Sequence, residues 1–327
     1  METGVEGTNR KECGFRMIMS ETVFLYEETQ DEKADSVRIT GVRFADSVMR
    51  IPEQLGQKKV SVIGKKAFWG CMGVQEVFVP ESVEEIGDWA FASCKELRRV
   101  SLPRRDIRLG RGVFKGCERL DCIELRNACM SEETGKAGKE NKEEQADGTG
   151  YLLAAADRLL HNPYLFDIGA AGTAEWHRKW DASLQELMHM PEDEGFSKML
   201  LCGEEDYGSR ENNIDHYCAG QRKRKARAAL LRLRHDTFLS GELRGELEAF
   251  LRAHALGCET ADAWEALVEE HGGDRSYYNL FERAGGIHEK NRGQCIAALD
   301  ESHTEIKAYL LGKTTKSRED FFDSLSF

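Results

Sequence analysis

One periodicity limits this chain more than any other property. Written in rows of 23, residues 63–126 fall into register as Ile63-Gly-Lys-Lys-Ala-Phe-Trp-Gly-Cys71, Ile86-Gly-Asp-Trp-Ala-Phe-Ala-Ser-Cys94 and Leu109-Gly-Arg-Gly-Val-Phe-Lys-Gly-Cys117. Gly64, Gly87 and Gly110 align, then Phe68, Phe91 and Phe114, then the three cysteines, then Val74, Leu97 and Leu120. Each row runs into a short alternating segment, Val77-Phe-Val79, Val100-Ser-Leu102 or Ile123-Glu-Leu125, and Pro80 and Pro103 close the first two. A fixed period in the twenties predicts a stacked solenoid, because one row cannot bury its apolar side without a neighbour above or below.

The role of each position follows from its chemistry. Alternation suits a short strand with one side facing inward, and a proline after it cannot donate to a ladder. The aligned glycine marks a corner that needs either positive φ or close backbone approach. Phenylalanine and cysteine then serve as the large and small fillers of the coil, repeated in each row as ladders. The ~4.8 Å between neighbouring coils is too wide for Cys71, Cys94 and Cys117 to share a tetrahedral zinc.

These rows resemble leucine-rich repeats of the BspA type. Val37–Val42 and Met49–Val60 resemble the strand and turn that precede an I-G-x-x-A-F unit in such proteins. The resemblance covers roughly residues 36–126 and departs from the family twice. Arg126 stands where the terminal proline would be, and Asp106-Ile107 sits one register off Val83, which predicts fraying at the third row. Many members are secreted or surface proteins.

Beyond the repeats the pattern changes. Nine charged residues and four glycines lie between Ser131 and Gly150, with no aliphatic side chain larger than alanine, so this stretch cannot repay its ordering entropy. From there the period is helical. Leu243, Leu247, Phe250 and Leu251 form one stripe, Trp264, Leu267 and Val268 a second, and Ile306, Tyr309 and Leu310 a third. Gly241, Gly257, Gly272 and Gly286 fall between them as helix stops. Gly195–Tyr207, Gln221–Arg227 and Thr304–Leu311 are similar to tails that accompany BspA-type repeats in uncharacterised proteins of gut Firmicutes. The expected fold is therefore α+β: lead-in 1–35, repeat solenoid 36–126, flexible linker 127–150 and an all-α domain of eight to ten helices over 151–327.

Candidate chemistry is sparse. Cys202, His216 and Cys218 have ligand character, but no C-x-x-C or H-x-x-x-H pair fixes two of them on one element. The run Arg222-Lys-Arg-Lys-Ala-Arg227 reads as a helix face that is solvated or paired with Glu204, Glu205, Asp206 or Asp215. Trp176, Trp180 and Leu184 read as core. Nucleotide, hydrolase and metalloprotease motifs are absent from the sequence. No apolar run approaches the ~18 residues of a membrane span, and no signal peptide is visible, which predicts a cytoplasmic protein with reduced thiols.

Charge divides the chain. Between Val48 and Arg126 there are 15 basic and 11 acidic residues, near +4, against −12 for the whole chain, leaving −16 elsewhere. The reading is a bacterial, non-catalytic protein-interaction or scaffold module that binds a protein partner through the exposed strand face: Glu76, Phe78, Arg99, Ser101, Cys122 and Glu124. No cofactor, metal, membrane or nucleic-acid partner is expected. The alternative is an enzyme, such as a metal-assisted hydrolase, with its site around Cys202–Tyr207 and His216 in the helical part.

Overall fold

The computed structural model describes residues 22–29, 35–43, 45–126, 148–197 and 213–313. Most of the expected linker, 127–147, and of the lead-in, 1–21, lies outside them, as do Cys202 and Glu204–Tyr207. The chain divides into two compact units, 1–176 and 177–327.

The first unit is a solenoid of four coils built from two sheets. One sheet contains β1 (Val23–Glu28), β2 (Ser36–Arg43), β5 (Lys58–Ile63), β7 (Glu85–Ile86) and β9 (Arg108–Leu109), in that order, with β4 (Gln54–Leu55) paired to β5. The other runs β3 (Val48–Arg50), β6 (Glu76–Phe78), β8 (Arg99–Pro103) and β10 (Cys122–Arg126). Coil-to-coil pairing is parallel throughout, and β1 closes the first edge antiparallel to β2.

Inward residues Val77, Val79, Val100, Leu102 and Ile123 are buried between the sheets, as the alternation requires. The phenylalanines stack: Phe68 to Phe91 at 5.0 Å and Phe91 to Phe114 at 5.6 Å, with nearly parallel rings. The column extends past the repeats at both ends, with Phe24 of β1 edge-on to Phe68 at 6.3 Å and Phe166 against Phe114 at 5.5 Å. The thiols form a second ladder, in which Cys94 donates to the Phe68 carbonyl and Cys117 to that of Phe91, each at 3.1 Å. Hydrogen bonding with Cys117, together with burial, pushes the Cys94 thiol up to about 12.

The aligned glycines serve close approach. A Cβ on Gly87 would lie 2.7 Å from the Lys65 amide nitrogen, and one on Gly110 would lie 2.3 Å from that of Asp88. Positive φ falls instead at two other positions of each coil: Lys66, Trp89 and Gly112, then Gly70, Ser93 and Gly116. The fraying expected at the third row does not occur. β9 pairs with β7 in the 23-residue register, and Ile107 takes a buried place one residue after the Val83 position. Arg126 holds the end by donating to the Val79 carbonyl.

Helix α1 (Thr149–Arg158) packs on β10, so the solenoid unit continues past 150 into the segment expected to be purely a separate helical domain. Gly150 allows this: a Cβ there would lie 2.7 Å from the Ile123 carbonyl oxygen and 3.0 Å from Cys122 Sγ. Arg104 donates to the Ala171 carbonyl at 2.9 Å, and Trp176 Nε1 to that of Leu165 at 2.8 Å. Residues 148–176 therefore cover the last coil, which a solenoid needs because its terminal coil has no next neighbour.

Helix α2 (Ala174–His189) contains the boundary between the units. The second unit adds α3 (Ile214–Arg234), α4 (Gly241–Ala253), α5 (Asp262–His271), α6 (Arg275–Arg283), α7 (Arg292–Ala298) and α8 (304–313). Leu243, Leu247, Leu251, Trp264, Leu267, Ile306 and Leu310 are buried, as their spacing predicts, and so are Trp180 and Leu184. Gly241 opens α4 rather than stopping a helix, because the Ser240 side chain caps it by accepting from the Leu243 amide.

Candidate interaction surface

The register of the second sheet fixes which side chains share its outer face. One row crosses the strands as Val48, Glu76, Arg99 and Cys122, and a second as Arg50, Phe78, Ser101 and Glu124. Five of these eight are large or charged side chains standing on four parallel strands, a rigid support for side-chain placement.

Exposure along the rows is uneven. Arg99 is exposed, and Glu76, Phe78 and Glu124 are half-buried. Ser101 is only 1% exposed and Cys122 3%, so neither belongs to an open surface. Ser101 is a small side chain between the larger Phe78 and Glu124 of its row. Cys122 lies beneath α1 at Gly150, and burial pushes its thiol up to about 12. Phe78 is not a bare aromatic either, since the Arg50 guanidinium sits over its ring at 3.9 Å. Such a cation–π contact is worth ~0.5–1 kcal/mol at exposed sites.

Arg50 and Val48 escape the 23-residue arithmetic. Arg50 opposes Phe78 from 28 residues away, because the β4–β5 hairpin inserts extra residues between the first and second coils. The signal in the sequence was Gly56-Gln57, both of which adopt positive φ as the turn between two short strands.

Candidate groups in the helical unit do not converge. His216 is exposed in the first turn of α3, and Cys218, half-buried two residues on, has its thiol raised by burial. Among the described residues there is no cluster of three or more His, Cys, Asp or Glu able to hold a metal. Among the described residues the basic run of α3 is acid-paired by residues other than Asp215, and Glu204–Asp206 lie outside them. Arg222 pairs with Glu192 and Asp262, Lys223 with Glu265 and Glu269 at 2.8 and 2.6 Å, and Arg227 with Glu269 and Glu270 at 2.8 and 2.9 Å. Lys225 is buried and donates to the Met188 and Met190 carbonyls at 3.1 and 2.6 Å, closing the C-terminal end of α2.

Two parallel sheets wound into short coils around aromatic and thiol ladders define a leucine-rich repeat solenoid. The family model of the BspA type leucine rich repeat region matches residues 39–135, in six copies. That match ends before the helical segment, so the likeness of 151–327 to Firmicutes tails is not shown by it. Among solved structures, a T. pallidum leucine rich repeat protein is similar at 33% identity and a TM-score of 0.29, over 31% of this chain and 46% of that one. A Bacteroides ovatus leucine-rich repeat protein is similar at 31% identity and a TM-score of 0.27, over 31% and 27%. A leucine rich cell surface protein from Faecalibacterium prausnitzii shares 24% identity at a TM-score of 0.28, over 32% and 30%. The chain thus spans less than half of each of these proteins. No curated protein matches it.

Proposed function

We propose that the solenoid unit is a non-catalytic protein-interaction or scaffold module that takes a protein partner on the outer face of its second sheet. Repeat proteins of this kind generally mediate protein interaction through such surfaces. The observation that carries the reading is the Arg50–Phe78 pair, a cation stacked at 3.9 Å on an aromatic ring, standing on adjacent strands beside exposed Arg99. Arginine and aromatic side chains held rigidly together are the groups that dominate binding energy at interfaces. Glu76 and Glu124 flank them and give the face charge of both signs. The face narrows at Cys122, where α1 covers the last strand. A reducing compartment, such as a bacterial cytoplasm, suits the buried thiol ladder. No helix among the described residues is long and apolar enough to cross a membrane.

The test is co-purification from the host with the full chain and with Phe78→Ser combined with Arg99→Glu. The expected result is loss of a stoichiometric partner while circular dichroism and melting temperature stay near wild type, since neither side chain faces the coil interior. A variant that stays folded and keeps every partner overturns the reading.

A further inference from the structure

A second surface of the solenoid unit differs from the strand face. Several cations on the coils are met by a carboxylate of the neighbouring coil: Lys59 by Glu84 at 2.8 Å, Arg108 by Glu85 at 3.0 Å, Arg119 by Glu96, and Lys95 by Glu118 at 4.0 Å. The ridge that follows each aligned glycine lacks such pairs. No carboxylate of the described residues forms an ion pair with Lys65, Lys66, Arg111 or Lys115, all four of which are exposed. The one acid in these positions, Asp88, spends its carboxylate on the Arg111 backbone amide at 2.7 Å. Tryptophans interleave with the cations instead, Lys65 lying 5.2 Å from the Trp89 ring and Lys66 lying 5.5 Å from that of Trp69, which is 58% exposed.

This ridge borders a cleft of about 1000 Å³ between the last coil and the segment after α1, all of it within the first unit. Gly112 and Gly116, both at positive φ, leave its wall without side chains, and a Cβ on Gly112 would lie 2.9 Å from the Trp89 indole. The floor is apolar, with Phe114 and Leu120, and Tyr164 stands at the mouth 92% exposed. Arg111 and Lys115 line it on one side, and Asp157 and Glu118 are its carboxylates, the second already opposite Lys95.

We infer that this cleft binds an acidic peptide segment bearing a bulky apolar side chain, at a site separate from the strand face. Charge complementarity selects the acid, because Arg111, Lys115 and Arg158 of the lining outnumber its carboxylates Glu118 and Asp157, and neither Arg111 nor Lys115 forms an ion pair among the described residues. The apolar floor selects the side chain, and a small inorganic anion would leave it unused. A nucleic-acid strand needs an unbroken basic track, which Asp88, Glu118 and Asp157 interrupt.

The probe is a fluorescein-labelled peptide with a central Leu-Phe flanked by Glu and Asp, read by fluorescence anisotropy against the full chain. Saturable binding is expected, weakened at least about tenfold by Arg111→Glu with Lys115→Glu, and weakened again as ionic strength rises from about 0.01 to about 0.15 M. Lys115→Gln serves if the double reversal fails to fold, with a smaller loss in the same direction. Phe78→Ser with Arg99→Glu leaves this binding unchanged, which separates the cleft from the strand-face reading. The inference is overturned by absence of saturable binding, by equal binding of a peptide with Ser-Ser in place of Leu-Phe, by indifference to charge reversal, or by tighter binding of an oligonucleotide or of anionic lipid vesicles.

Discussion

The two units are held together by different kinds of interaction. In the solenoid each stabilising contact recurs one coil further on: Phe on Phe, thiol to carbonyl, and ladder amide to ladder carbonyl. In the helical unit many polar contacts among the described residues join side chains tens of residues apart, at spacings that do not recur. Arg232 is the extreme case, fully buried and forked onto Asp181 at 2.5 and 3.1 Å, with further bonds to the His235 and Thr237 carbonyls. A repetitive unit distributes its stability over equivalent positions, whereas the helical one concentrates its polar specificity in a few buried pairs around α3.

The largest test of this contrast removes a central rung. Phe91 has a ring on either side, so Phe91→Ala is expected to cost about 3–5 kcal/mol and to melt the repeat unit as a whole. Phe78→Ala on the outer face should cost far less. Calorimetric melts that show both as equally mild would refute the ladder as the source of stability.

In the helical unit, Arg232→Ala strands a mostly buried Asp181 carboxylate and is expected to cost about 3 kcal/mol or more. Pairing it with Asp181→Ala should recover part of that loss, read as a coupling energy in a double-mutant cycle from urea melts. Additive losses would show that the pair does not act as a unit.

The smallest effect has the opposite sign. Ser93 sits at φ +60 where the coils before and after use Gly70 and Gly116. A left-handed non-glycine residue costs ~1–2 kcal/mol, and glycine's extra unfolded-state entropy offsets ~0.5–1 of it. Ser93→Gly should therefore raise stability by under about 1 kcal/mol, while Gly87→Ala, at an aligned glycine that is not left-handed, should lower it because its Cβ meets backbone. A thermal shift of the same sign in both would erase the distinction between the two glycine positions.

How much was legible follows from the same contrast. The repeat region could be read because a solenoid places residue n beside residue n + 23, so self-similarity in the sequence is already a contact map. The aligned Phe, Cys and Val/Leu positions fell where the period put them, and the inward Val77, Val79, Val100 and Leu102 followed from alternation alone. What breaks the period was invisible to it: Arg50 over Phe78, the Phe24 and Phe166 ends of the aromatic column, and the burial of Cys122 under α1. Each depends on a segment outside the repeat arriving at a particular place.

The sequence by itself therefore determined the coil, its two ladders and the stripes of the helices, because these rest on spacings of 2, 3.6 and 23 residues along one chain. The tertiary structure alone decided which acids pair with the basic run of α3, which strand-face residues are covered, and which ridge cations have no ion pair among the described residues. Those outcomes turn on through-space meetings of side chains tens of residues apart, and no local spacing encodes whether a carboxylate pairs with the Arg222 guanidinium or, among the described residues, leaves that of Arg111 without an ion pair.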